Sequence, residues 1–234
     1  MNTRLMVALD YASWADAQTL VDQLKGLKVT FKVGLELFVS EGPKAVTRLK
    51  DAGFDVFLDL KLHDIPNTVS AAARTAAQLK ADFLTVHLGG GKPMLEGAVQ
   101  AVQGSPTQIL GVSVLTSFSE ESWGEVGKAV AGQSAPVSRS VEGLVALGKG
   151  AGVHGIVSSA HELSVVKKVF PQAFCVIPGI RPAGTSAGDQ ARVMTPAQAA
   201  KGGAGAIVVG RPITQAKDPR LATENILAEL ATAR

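Results

Sequence analysis

Two acids and a lysine share one short stretch, Asp59-Leu60-Lys61-Leu62-His63-Asp64, followed by Ile65-Pro66-Asn67-Thr68. The apolar run over residues 56–60 reads as a buried strand. The period of two along a strand puts Asp59 and Lys61 on one face, with alpha carbons roughly 6.6 Å apart, and Leu60 on the other. An acid and a base presented side by side can stabilise developing negative charge and deliver a proton to it. Asp64 falls beyond the strand, beside a proline that stiffens the turn into a helix, so its carboxylate can cap that helix or reach a neighbouring site. Two more charges stand at or near strand ends: Asp10, after Val7-Ala8-Leu9, and Lys32, in Thr30-Phe31-Lys32-Val33-Gly34. A core-facing lysine is costly unless paired, so Lys32 either points into a site toward an acid or lies outward against a helix.

A second set of residues suits an anion. Gly179-Ile180-Arg181-Pro182 and Gly210-Arg211-Pro212-Ile213-Thr214 each follow an apolar run. Glycine lets backbone N–H groups approach phosphate oxygens, and arginine adds paired, charge-assisted bonds. Metal and cofactor chemistry finds no comparable pattern: there is no HExxH, a single cysteine, and four ungrouped histidines, His63, His87, His154 and His161. Of these, His87 ends a strand and is the one placed to face a pocket; the others fit turns and helix starts.

Eight apolar runs must position these groups: residues 4–9, 30–33, 56–60, 83–87, 108–114, 154–157, 174–177 and 206–209. Between them lie stretches of helical period at 14–24, 43–50, 65–79, 93–102, 141–149, 163–170 and 196–201, with one closing helix at 213–231 and an extra amphipathic helix around 123–130. Eight strands alternating with helices predict one (β/α)₈ barrel, a TIM barrel, over residues 1–234, with catalytic groups at the carboxyl ends of the strands and phosphate held after strands seven and eight. A doubly wound open sheet is the alternative, but Asp10-Tyr11-Ala12 stands where its glycine fingerprint belongs. Residues 179–190, rich in small and turn-forming types, read as a mobile loop that closes over the phosphate.

Composition narrows the class. The chain is 46% hydrophobic and 18% charged, which supplies a core and excludes disorder. Its net charge of +3 comes from scattered residues, whereas a nucleic-acid surface needs clustered ones. No apolar run is long enough to cross a membrane, no signal peptide is recognisable, and one cysteine, Cys175, cannot form an internal disulfide; cytoplasm is the expected compartment. Cys175, Trp14 and Trp123 are expected in the core.

Taken from Asp10 to Arg211, the chain resembles the orotidine 5'-monophosphate decarboxylase family. The resemblance rests on Val7-Ala8-Leu9-Asp10, Phe31-Lys32-Val33-Gly34, the block from Asp59 to Val69, Leu115-Thr116-Ser117, Gly179-Ile180-Arg181-Pro182 and Val209 to Thr214. It implies cofactor-free decarboxylation of orotidine 5'-monophosphate to UMP in pyrimidine biosynthesis, by a homodimer with shared sites. Asp10 would bind the ribose hydroxyls, Lys32 would bridge ribose and carboxylates, and Asp59, Lys61 and Asp64 would form an alternating charge network, with Lys61 stabilising and protonating the carbanion-like carbon. Asp64, Ile65 and Thr68 would come from the partner subunit. Thr116 and Pro178 would lie by the pyrimidine, while Gln190, Gly210 and Arg211 would hold the phosphate with Arg181 nearby. Leu62 and Gly205 depart from the family pattern, which places an aromatic residue and an acid there. Metal-dependent sugar-phosphate relatives resemble the DxKxxD block too, but carry an acidic ligand where this chain has Lys32. A non-catalytic phosphate-binding module would leave the Asp59 and Lys61 pair without purpose.

Overall fold

A computed structural model describes residues 3–182 and 194–233. Its eight strands are β1 (Arg4–Leu9), β2 (Val29–Val33), β3 (Asp55–Leu62), β4 (Phe83–His87), β5 (Gln108–Val112), β6 (Gly155–Val157), β7 (Phe174–Ile177) and β8 (Ala206–Val209). All are parallel and pair in sequence order, and β1 pairs with β8 to close the barrel. Closure leaves no sheet edge unpaired. The helices are α1 (Trp14–Gln23), α2 (Leu35–Glu41), α3 (Lys44–Asp51), α4 (Pro66–Gln78), α5 (Lys92–Ala101), α6 (Glu120–Ala131), α7 (Val137–Gly150), α8 (Leu163–Val169), α9 (Pro196–Lys201), α10 (Arg211–Thr214) and α11 (Pro219–Thr232).

The expected barrel is therefore the fold, with two differences in its helices. The closing helix is two, because Asp218 caps α11 by accepting from the Leu221 N–H, and Pro219 at its first turn cannot continue a helix from α10. The short α2 was not expected: Leu37 is buried and Phe38 packs partly buried against the core, but Leu35 and Val39 are exposed, so its seven residues give no clear helical stripe.

Alternation along each strand separates two cores. Leu5, Val7, Leu9, Phe31, Val33, Val56 and Leu58 face the helices, together with the buried faces of α1, α3 and α4. Met6, Ala8, Phe57, Phe83, Leu110, Val112, Val176 and Val208 fill the barrel itself. Phe83 stacks on Phe174 at 5.3 Å and meets Phe57 edge-on, so aromatic rings plug the amino-terminal half of the barrel. Gly205 makes this possible, since a Cβ there would lie 2.5 Å from the Phe174 ring. Leu62 packs against the helix-side core. Both departures from the family pattern thus serve apolar packing. Cys175 is buried, and Trp14 and Trp123 pack partly buried against the core, as expected. Among the described residues no helix is long and apolar enough to cross a membrane.

Candidate active site

The inner face of the barrel carries the charged residues upward from the apolar plug. On β1 the inward series is Met6, Ala8, then Asp10; on β2 it is Thr30 and Lys32; on β3, Phe57 and Asp59; on β4, Phe83, Thr85 and His87. Period two alone carries each strand from core to site. Lys32 is 9% exposed, and its Nζ donates to Asp10 Oδ1 at 2.8 Å. The inward orientation of Lys32, one of two readings its sequence allows, is the one the fold adopts. Gly34 leaves room for this pair: a Cβ there would lie 2.9 Å from Lys32 Nζ and 3.3 Å from Asp10 Oδ1.

Asp59, 8% exposed, accepts from Lys61 Nζ through Oδ2 at 2.8 Å. Acid and base alternate from β1 to β3 as Asp10, Lys32, Asp59, Lys61. Lys61 itself is not in ordinary strand conformation. Its φ is +50°, and the ladder to β4 shifts from Leu58↔Leu84 to Leu62↔Val86, so β3 spends two more residues than β4 over this span. A non-glycine residue held there costs on the order of 1–3 kcal/mol, and such strain persists where surroundings over-determine it. His87 lies beside this pair, its ring 5.4 Å from that of His63. Burial, with Lys61 and His63 adding to it, pushes the His87 pKa below the ordinary imidazole value, which favours a neutral ring near neutral pH. Sequence spacing had left these two histidines apart; the turn after β3 and the end of β4 bring them together.

Asp64, Ile65 and Thr68 are all exposed at the start of α4. Ile65 occupies the cap position, and Asp64 Oδ1 accepts from the adjacent Ile65 N–H at 2.6 Å, so Asp64 does not cap the helix in the ordinary way. No hydrogen bond or ion pair joins Asp64 to Asp59 or Lys61 within the chain among the described contacts.

The glycine-arginine turns follow β7 and β8, at the strand ends where the apolar runs place them. Gly179 has φ of +75°, which only glycine adopts readily, and Pro178 beside it is half-buried. Arg181 is buried, with Nη1 donating to Ile180 O at 3.1 Å. Gly210 lies against β1, where a Cβ would meet Ala8 and stand 3.8 Å from Asp10 Oδ2. Barrel closure therefore sets the β8 turn beside the Asp10 and Lys32 pair. Arg211 opens α10 and is exposed, as is Thr116 beyond β5. Gln190 and residues 183–190 of the expected closing loop lie outside the described residues. A cleft of about 840 Å³ opens at the opposite end, between the amino-terminal ends of β1 to β3, but there Arg4 and Asp55 pair with each other at 2.9 Å. That end of a barrel reads as stability, whereas barrels of this architecture carry their chemistry at the other end, where the inward charges of this chain lie.

With this geometry in place, the comparisons are specific. A family model described as Orotidine 5'-phosphate decarboxylase / HUMPS family matches residues 3–226. The chain is 46% identical over 220 residues to an orotidine 5'-phosphate decarboxylase of Cutibacterium acnes, covering 93% of this chain and 92% of that one. It is likewise 46% identical over 228 residues to the protein of that name from Anaeromyxobacter sp., covering 97% and 98%. A crystal structure of orotidine 5'-phosphate decarboxylase from Lactobacillus acidophilus superposes with a TM-score of 0.84 at 34% identity, covering 98% of this chain and 99% of that one. On sequence and fold, this chain belongs to the orotidine 5'-phosphate decarboxylase / HUMPS family.

Proposed function

We propose that the protein is a carboxy-lyase that converts orotidine 5'-monophosphate to UMP in de novo pyrimidine biosynthesis, with no cofactor. The observation that carries this reading is the Asp59 and Lys61 pair, joined at 2.8 Å at the carboxyl end of β3, in a chain 46% identical to its named relatives over 220 and 228 aligned residues. The carbon–carbon bond to the carboxylate breaks, carbon dioxide leaves, and the electron pair stays on the ring carbon. The Lys61 ammonium stabilises that pair and then donates its proton to the carbon; solvent reprotonates the lysine. Asp59 keeps Lys61 charged and aimed, and places its own negative charge against the departing carboxylate.

In this reading Asp10 holds the ribose hydroxyls and Lys32 links the ribose to the carboxylates. Thr116 and Pro178 lie by the pyrimidine. Gln190, Gly210, Arg211 and Arg181 hold the phosphate, and residues 179–190 close over it. Grip on the remote phosphate drives that closure and organises the charged network. Two subunits meet around the β2 and β3 ends, each lending Asp64, Ile65 and Thr68 to the other. Large apolar side chains stand uncovered there in a single chain: Leu35 is 55%, Val39 81% and Ile65 65% exposed. The lone, buried Cys175 fits a cytoplasmic enzyme.

Purified protein given orotidine 5'-monophosphate in the presence of a chelator is expected to release carbon dioxide at the rate seen without chelator. The ammonium of Lys32, paired with Asp10, would repel a divalent metal from the position that the sugar-phosphate relatives use. Turnover that chelator abolishes, or its absence with this substrate, would end the reading. A second outcome concerns the phosphate: Arg211→Ala should lower kcat/KM for the nucleotide by about a hundredfold, from loss of charge-assisted bonds. The nucleoside orotidine has no phosphate to lose, so its slower turnover should change little; equal losses on both would place Arg211 away from the phosphate.

A further inference from the structure

We infer that Thr85 is a positioning residue that sets the Asp59 and Lys61 pair for the reaction proposed above, on which this inference rests. Thr85 stands on the inward face of β4 and is fully buried. Its hydroxyl is placed between the two charged residues by a pair of bonds. Thr85 Oγ1 accepts from the Lys61 backbone N–H at 2.8 Å and donates to Asp59 Oδ1 at 3.0 Å. The other carboxylate oxygen, Oδ2, takes the Lys61 ammonium at 2.8 Å. Main chain of Lys61, hydroxyl, carboxylate and ammonium of Lys61 thus form a closed ring of hydrogen bonds.

The reason a hydroxyl is needed lies in the ladder. Between Leu58↔Leu84 and Leu62↔Val86, β3 carries two extra residues, and the main chain at Lys61 turns to positive φ. In a regular parallel ladder a strand N–H bonds to a neighbouring carbonyl. Here the Lys61 N–H bonds to a side chain on the neighbouring strand instead, and an unpaired buried N–H would be costly. One hydroxyl has both a proton and lone pairs, so it can satisfy the amide and orient the carboxylate at once. Valine, with nearly the same shape, can do neither. The polarity is also defined: because Asp59 only accepts when ionised and the Lys61 amide only donates, the Thr85 proton must point to Asp59.

Thr85 touches no reacting atom in this scheme; it acts through the two residues that do. Its removal should therefore leave substrate binding nearly intact and lower the chemical step. For Thr85→Val, kcat should fall about a hundredfold, the effect expected of one lost charge-assisted bond together with a misplaced ammonium, while KM stays within about twofold. Thr85→Ser, which keeps the hydroxyl, should stay within about fivefold of the wild-type kcat. Two further measurements separate positioning from general damage. Amide exchange at Lys61 should accelerate in Thr85→Val and remain slow in Thr85→Ser. In a Lys61→Ala background, Thr85→Val should not lower the residual turnover further, since the group it positions is gone. If the valine protein does not fold, Thr85→Cys is read by the same criteria, because the thiol is only a weak donor and acceptor.

An unchanged kcat in Thr85→Val, an equal loss in Thr85→Ser, or an additive loss in the Lys61→Ala background would each overturn the inference while leaving the proposed reaction standing. No decarboxylation by the wild-type protein would overturn both.

Discussion

In the proposed reaction Lys61→Ala should lower turnover of orotidine 5'-monophosphate by about five powers of ten, combining the loss of a proton donor with the loss of a fixed positive charge. The expectation follows from placement. Lys61 stands at the carboxyl end of β3, its ammonium 2.8 Å from a carboxylate that is itself nearly buried. Nothing else on the inner face of β3 or β4 can replace it: the neighbouring imidazole of His87 is pushed toward its neutral form by burial and by His63, and both remain when the lysine is removed. The fold should survive, because the lysine side chain is only partly buried and the strand keeps its apolar contacts on the helix side. Asp59 retains the Thr85 hydroxyl as a donor after the substitution. Steady-state turnover with matched far-UV circular dichroism checks both halves. Near-normal turnover in a folded Lys61→Ala protein would remove Lys61 from the mechanism.

Mixing two inactive proteins should restore activity. Asp64 is exposed at the entrance to α4, its carboxylate bonded only to the adjacent Ile65 N–H among the described contacts, while Ile65 beside it is a large apolar residue left in solvent. An acid placed this way contributes little to its own barrel, and a two-fold related copy can bring it over the partner's Lys61. Lys61→Ala and Asp64→Ala homodimers then each carry two defective sites. After subunit exchange, a heterodimer concentrates both defects in one site and leaves the other intact. Random pairing makes half the dimers heterodimers, so specific activity should approach about one quarter of wild type. The measurement is activity against time of exchange, with exchange itself followed by a size or affinity tag on one variant. Complete exchange without recovery would return Asp64 to its own subunit.

Much of the arrangement at the strand ends is legible in the sequence because strand periodicity is local. A residue's face on a strand depends only on counting by two from neighbours whose burial their apolar character reveals. Asp10, Lys32 and Asp59 continue the inward series begun by Ala8, Thr30 and Phe57. The glycine-arginine turns after β7 and β8 were legible for the same reason, since apolar runs mark where each strand stops. The division of the last helix was also encoded, in Asp218-Pro219, although a continuous helical period ran past it.

What only the tertiary structure decided is everything that depends on how one strand is set against the next. Thr85 sits in Phe83-Leu84-Thr85-Val86-His87, where a β-branched residue needs no explanation beyond strand preference. Its role arises from a two-residue offset between β3 and β4, which places its hydroxyl opposite the Lys61 amide. The same offset gives Lys61 its positive φ, a departure that alternation cannot foresee. Gly34 passes for a simple strand end until the Lys32 and Asp10 side chains are seen in the space a methyl group would need. Gly210 comes beside Asp10 only because β8 closes onto β1, joining two ends of the chain some 200 residues apart. Local pattern thus determined which side chains face inward and at which end, whereas register and closure, which are properties of pairs of strands, decided which of them touch.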